Sequence, residues 1–217
     1  MASRLVMDSL AELAPTLGGI ASAPDLHEEE RATDRLTTMA EQAHASILTH
    51  AAQHPPLYGM GTTLVMAHLL PLPKPRLLVL NVGDSRAYLV RAGTLTQLTR
   101  DHTLIEEYVR DRRLTPTQAA CHPNRHVLTR AMGLAPHLES DLFFFDLLDG
   151  DLLLLCSDGL TKMLTDERIL QTVRPHRHIP SLATQALIHT ALDAGGIDNV
   201  TVVACTITEI PDQANIH

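Results

Sequence analysis

Apolar positions change their period along this chain, and the change marks its elements. Val6, Leu10, Leu13 and Leu17 recur at spacings of four, three and four, one face of an amphipathic helix that opens at the first residues. Gly18 and Gly19 stop it. Asp25 and Glu28 have the spacing of a capping box and predict a second helix with an apolar face of Leu36, Met39 or Ala40, Ala43 and Ile47. Pro55 and Pro56 lie beyond its end. The texture then turns to strands at "GTTLVMAHLL" (61–70), "RLLVLNVG" (76–83) and "SRAYLVRAGTLTQL" (85–98), with Gly93 at a hairpin turn.

The segment 101–125 is polar and predicts helix in pieces; Thr115, Pro116 and Gln118 read as an N-cap, a first-turn proline and its N3 partner. Strands return at "HVLTRA", "LFFFDLL" and "DLLLLCS". Helices follow at about Thr165–Val173 and Ser181–Asp193, the second ended by Gly195 and Gly196, and the last strand is "NVTVVACTIT" (199–208). Runs of strands set apart from runs of helices indicate an α+β fold, with antiparallel sheets and helices packed outside them. The length, 217 residues without a repeat or low-complexity stretch, suggests a single domain spanning 1–217.

Composition narrows the chemistry. Apolar residues make up 45%, enough for a full core, and the net charge is −8. That sign argues against nucleic-acid binding, which leaves a basic footprint, and is compatible with carboxylates that bind cations. Cys121, Cys156 and Cys205 form no C-x-x-C or disulfide framework, which favours a reducing cytoplasm; Cys156 and Cys205 read as small core residues. No apolar run approaches a bilayer span, and the first residues lack the pattern of a signal peptide, so no membrane is expected.

Three aspartates share one context. Asp84 follows "LLVLNVG", Asp158 follows "LLLLCS", and Asp198 precedes the closing strand. Taken singly, each reads as a turn residue or helix cap. Brought to one rim, their carboxylates would repel one another, and a divalent cation removes that conflict; oxygen ligands suit Mg²⁺ or Mn²⁺.

The combination in order carries a resemblance. "GMGTTLVMA" (59–67), "LNVGDSRAYLVRAGTLTQLTRDHT" (80–103), "HVLTRAMG" (126–133), "GDLLLLCSDGLTKMLTDERI" (150–169) and "GGIDNVTVVAC" (195–205) resemble the bacterial members of the type 2C metal-dependent Ser/Thr protein phosphatase family. The resemblance implies a sandwich of two antiparallel β-sheets flanked by helices and a binuclear Mn²⁺/Mg²⁺ centre. It implies hydrolysis of phosphoserine or phosphothreonine by a metal-activated water, without a phosphoenzyme. Carried over by motif, Asp158 of "SDGL" and Asp198 of "DNVT" match metal ligands, and Asp84 of "GDSR" matches an acidic residue at a weaker metal position. The segment 101–125 falls where the family carries a mobile flap. Partners implied are phosphoproteins, a Ser/Thr kinase or its substrates.

One departure stands at the front. The family's first strands, with a phosphate-holding Arg and a "DGMGGH"-like loop, have no counterpart here; "MASRLVMDSLAEL" resembles the helix that follows that loop. The expectation is an incomplete ligand set and impaired activity. A start codon assigned too late, a truncated gene or a metal-poor relative kept for binding each accounts for it, and the last makes a non-catalytic phosphatase-like binding module the alternative function. Other chemistries find less support. The 13 histidines lack zinc spacing, Cys156 lacks a phosphate-cradling loop, and Ser85 and Ser157 lack a His/Asp arrangement. Arg86 and Arg130 read as phosphate-approaching groups or as ordinary surface and sheet residues.

Overall fold

The computed structural model describes residues 1–13, 27–70 and 74–208. The chain divides into two compact units: Met1–Val65, Leu80–Asp84 and Arg100–Leu142 form one, and Met66–Val79, Ser85–Thr99 and Phe143–His217 the other. Strands β1 (Leu64–Leu70), β2 (Arg76–Val82) and β5 (Asp141–Asp146) each run through the division and form a sheet in the order β1-β2-β5. The architecture is α+β with two antiparallel sheets.

In the first unit α1 (Ala2–Leu13) packs along α2 (Glu28–Gln53), with Ser9 Oγ 3.2 Å from Ser46 Oγ. The expected stripe of α2 is buried at Leu36, Met39, Ala40, Ala43 and Ile47. Leu17, Gly18, Gly19 and Asp25 lie outside the described residues. The N-cap of α2 is His27, without a side-chain capping bond, and Glu28 accepts from Arg31 and Arg35 at 2.9 and 2.7 Å. Their hydrogen bonds, that of Arg31 foremost, hold the Glu28 carboxyl below its ordinary range. Buried His44 reaches from α2 to the loop after residue 131. Its Nδ1 accepts from the Gly133 amide at 3.0 Å, which leaves the proton on Nε2 to donate to the Ala135 carbonyl at 3.0 Å.

Helices α3 (Leu104–Arg110) and α4 (Pro116–Ala120) fill the polar segment, and Thr115 and Gln118 make the expected capping box. The stretch 126–131 is not the strand that its composition suggested. It pairs only through single bridges, Thr103 to Leu128 beside it and Thr62 to Met132 just after. The first bridge is made by two hydrogen bonds and goes no further: the Thr129 amide donates to the His102 carbonyl, and the Val127 carbonyl accepts from the Leu104 amide, both at 2.9 Å. Its partner turns into α3 at Leu104, so the pairing cannot extend into a ladder.

The second unit holds a four-stranded sheet in the order β4-β3-β6-β7, made of β3 (Arg86–Arg91), β4 (Thr94–Gln97), β6 (Leu152–Cys156) and β7 (Val202–Thr206). The β3–β4 turn takes positive φ at Ala92 and Gly93. On one face, Tyr88, Val90, Leu152, Leu154 and Cys156 pack against Leu160, against Ile169 and Val173 of α6 (Asp166–Val173), and against Ala183, Leu187 and Ala191 of α7 (Pro180–Asp193). Burying Ile169 or Val173 contributes about 2 kcal/mol each. At one end of this sheet Asp151, 1% exposed, takes both forks of Arg91 at 2.8 and 2.6 Å and the Leu148 amide at 2.8 Å. Cys156 is buried as expected, but Cys205 is exposed. Strand β7 is the outer strand of the sheet, packed on one face only, so its side chains alternate between half-buried and exposed and Cys205 falls on the open side.

Candidate metal centre

The leucine run that becomes β6 ends in a backbone clasp. Antiparallel pairing of β6 with β7 sets Cys156 opposite Val202. The pairing continues past the strands: the Ser157 amide donates to the Thr201 carbonyl at 3.1 Å, and Ser157 Oγ accepts from the Thr201 amide at 3.0 Å. Ser157 Oγ also lies 3.2 Å from the Asn199 carbonyl, to which it donates. Next comes Gly159, buried, where a Cβ would stand 2.2 Å from that same carbonyl oxygen. Only a residue without a side chain lets the two segments close. The clasp brings "SDG" and "DNV" together, and with them Asp158 and Asp198.

Asp158 is the first residue of the short helix α5 (Asp158–Thr161) and not its cap, which is Ser157. Lys162, one turn later, lies on the same side of that helix. Its ammonium sits between the carboxylates, 2.5 Å from Asp158 Oδ2 and 2.8 Å from Asp198 Oδ2. Asp198 Oδ1 accepts from the Asn199 amide at 2.8 Å. The Lys162 bond and that amide hold the Asp198 carboxyl below the usual carboxylate range. Burial works against the Lys162 charge, but the hydrogen bonds it donates to Asp158 and Asp198 outweigh it and raise its pKa. The spacing of an acid four residues before a lysine was present in the sequence as a signal for this contact.

Asp84 belongs to the other unit and is held differently. It follows β2 after Gly83, whose φ is +103° and whose added Cβ would stand 2.3 Å from Thr63 Cγ2. The Gly83 carbonyl accepts from the His102 amide at 3.0 Å and from Asn81 Nδ2 at 3.2 Å, and Asn81 Nδ2 also donates to the Arg100 carbonyl at 2.9 Å. The Gly83 amide donates to His102 Nδ1 at 3.2 Å, which fixes the imidazole proton on Nε2. Nε2 lies 3.3 Å from Asp141 Oδ2 but off the line of a hydrogen bond, so that contact is electrostatic. Arg130 donates to Asp141 at 2.8 Å. Burial lowers the pKa of His102, and Asp141 offsets only part of that shift. Burial would raise the Asp141 carboxyl, but His102 and Arg130 together hold it low. Nothing in the sequence pointed to His102 or Asp141.

The structure thus joins Asp158 and Asp198 on one cation. Among the described residues, no group of three or more His, Cys, Asp or Glu is placed to hold a metal ion. Arg86 and Arg130 both face carboxylates: Arg130 pairs with Asp141 and Glu139, and Arg86 lies 3.9 Å from Asp166 and donates to Tyr88 Oη at 2.8 Å.

A family profile described as "Protein phosphatase 2C" matches residues 16–113. The serine/threonine protein phosphatase PstP of Mycobacterium tuberculosis is 38% identical over 195 residues, 88% of this chain; the chain spans 36% of that relative's length. The serine/threonine phosphatase stp of Listeria monocytogenes is 34% identical over 203 residues, which cover 94% of this chain and 75% of the relative. The chain belongs to the protein phosphatase 2C family. A crystal structure of the PstP catalytic domain in complex with two manganese ions superposes with a TM-score of 0.76 at 35% identity, covering 96% of this chain and 81% of that one.

The protein phosphatase 2C family implies bound Mn²⁺ or Mg²⁺, and the donor chemistry of the Asp158–Asp198 pair fits such an ion. Both side chains offer hard carboxylate oxygens, and a positive charge, the Lys162 ammonium, already stands on them as a stand-in ion.

Proposed function

We propose that this chain is a metal-dependent hydrolase of phosphoserine and phosphothreonine proteins, weakly active as it stands, with Asp158 and Asp198 as ligands of Mn²⁺ or Mg²⁺ and Asp84 at a further, weaker position. The observation that carries the reading is the meeting of two carboxylates, from "SDGL" and "DNVT", on a single cation. When bound, the metal supplies an ionised water and neutralises charge for displacement at phosphorus. The chain's own residues do the rest. The Ser157–Thr201 clasp fixes the distance between the two aspartates, and the Asn199 amide orients the Asp198 carboxylate. Gly83, held between Asn81 and His102, sets the turn that carries Asp84. Among the described residues no group of three or more His, Cys, Asp or Glu gathers at this pair, and a binuclear centre needs more ligands than two, which supports low activity. Phosphoproteins, including a Ser/Thr kinase or its substrates, are the partners of this reading, and the cytoplasm its compartment. No helix among the described residues is long and apolar enough to cross a membrane.

A second reading, a phosphatase-like binding module without turnover, draws support from Lys162, which already offsets half of the pair's negative charge. One assay separates the two. Phosphate release from a phosphothreonine peptide is measured with MnCl₂, with chelator, and in Asp158→Ala. Release that needs Mn²⁺ and disappears in the variant supports the enzyme. Release that survives both chelator and the variant sinks it, and binding of the peptide without release favours the module.

A further inference from the structure

We propose that the Lys162 ammonium is the resident cation of the Asp158–Asp198 pair, and that a divalent ion enters the pair only by displacing it. The proposal rests on the reading of this pair as a divalent-cation site. The chain has two lysines, Lys74 and Lys162, against fifteen arginines. One of the two stands between these carboxylates, with its side chain only 20% exposed. It touches the Oδ2 atom of each aspartate. Asp198 Oδ1 is already engaged by the Asn199 amide, so the oxygen that an incoming ion would seek is the one Lys162 holds.

Electrostatics gives the contact its consequence. With the ammonium in place the three side chains carry one net negative charge; without it they carry two. A dication is drawn more strongly to the second arrangement, and it also meets no like charge at contact distance. Arginine would fork across both carboxylates and stay. Lysine is a point charge on a flexible four-carbon stem that can swing out once a stronger cation arrives. The lysine therefore raises the free divalent concentration at which the pair fills, and filling returns a free amine to solvent.

Two measurements test this on the intact chain. Mn²⁺ binding is titrated calorimetrically on wild type, Lys162→Gln and Lys162→Arg. The expectation is at least about tenfold tighter binding in Lys162→Gln, with Lys162→Arg no tighter than wild type. Separately, wild type is acetylated with an N-hydroxysuccinimide ester with and without MnCl₂, and each lysine is quantified by mass spectrometry. Modification of Lys162, referred to exposed Lys74, should rise several-fold with Mn²⁺. Equal or weaker Mn²⁺ affinity in Lys162→Gln overturns the proposal while leaving the metal reading intact. Unchanged or reduced labelling of Lys162 with Mn²⁺ overturns it even if the variant fails to fold. Mn²⁺ binding by neither wild type nor variant ends both the proposal and the reading beneath it.

Discussion

Two aspartates that look alike in sequence stand in different surroundings. Asp158 and Asp84 each follow an apolar strand and sit beside a glycine. At Asp158 the backbone clasp is between two chain segments, and the side chain is balanced by a lysine charge at 2.5 Å. At Asp84 the visible work is on the backbone just before it, where Asn81 and His102 lock Gly83 in a conformation with φ of +103°. The contact described at Asp158 is one of charge, and those described just before Asp84 are of main-chain geometry. A carboxylate at a strand end is therefore a position, and what surrounds it decides which variable the protein regulates.

The comparison is most severely broken at the two glycines. Gly83→Ala places a Cβ against Thr63 and forces a strained backbone, and should cost about 3 kcal/mol or more in denaturant unfolding. Gly159→Ala meets the Asn199–Val200 main chain, 2.2 Å from the Asn199 carbonyl oxygen, but without a positive φ, and about 2 kcal/mol is expected. If the order reverses, the Asp84 turn is not the more rigid of the two.

A pH series sharpens the contrast. The folded pKa of His102 is lowered by burial, so the unfolded chain takes up its proton first. Stability should be complete above the unfolded value of about 6.5 and decline as pH falls through it, until the folded pKa is reached. Thermal unfolding of His102→Asn, whose amide oxygen can still accept from Gly83, should show a flatter profile between about pH 7 and 5. Equal slopes in the two proteins would remove His102 from the account. The smallest effect belongs to the charge-balanced site: Asp158→Asn should shift unfolding by less than about 1 kcal/mol, because the ion pair it breaks is partly exposed, while abolishing Mn²⁺-dependent turnover.

Much of this was legible in the chain. The apolar stripe from Leu36 to Ile47, the Gly93 hairpin and the Thr115 cap depend on near neighbours, and near neighbours are written in order. The pairing of Asp158 with Asp198 was legible because each borders a strand, and their strands are adjacent in the sheet. What escaped depends on distant partners. The stretch 126–131 has strand composition, yet its hydrogen bonds go to the turn at 102–104. Cys205 sits in an apolar run, but its strand has one packed face. The Asp141–His102–Gly83 chain joins residues with no periodic relation. Lys162 was readable from its spacing to Asp158 only once a helical turn was assigned at 158–161.

The clasp at Ser157 and Thr201 is fastened by main-chain atoms and one hydroxyl. Residues 158, 162 and 198 hang from it without bearing on its fastenings. Their identities can drift, an acid exchanged for an amide or a base for a neutral group, while the scaffold beneath them keeps its shape. Here the frame and the groups mounted on it are separable, and the second can change without refolding the first.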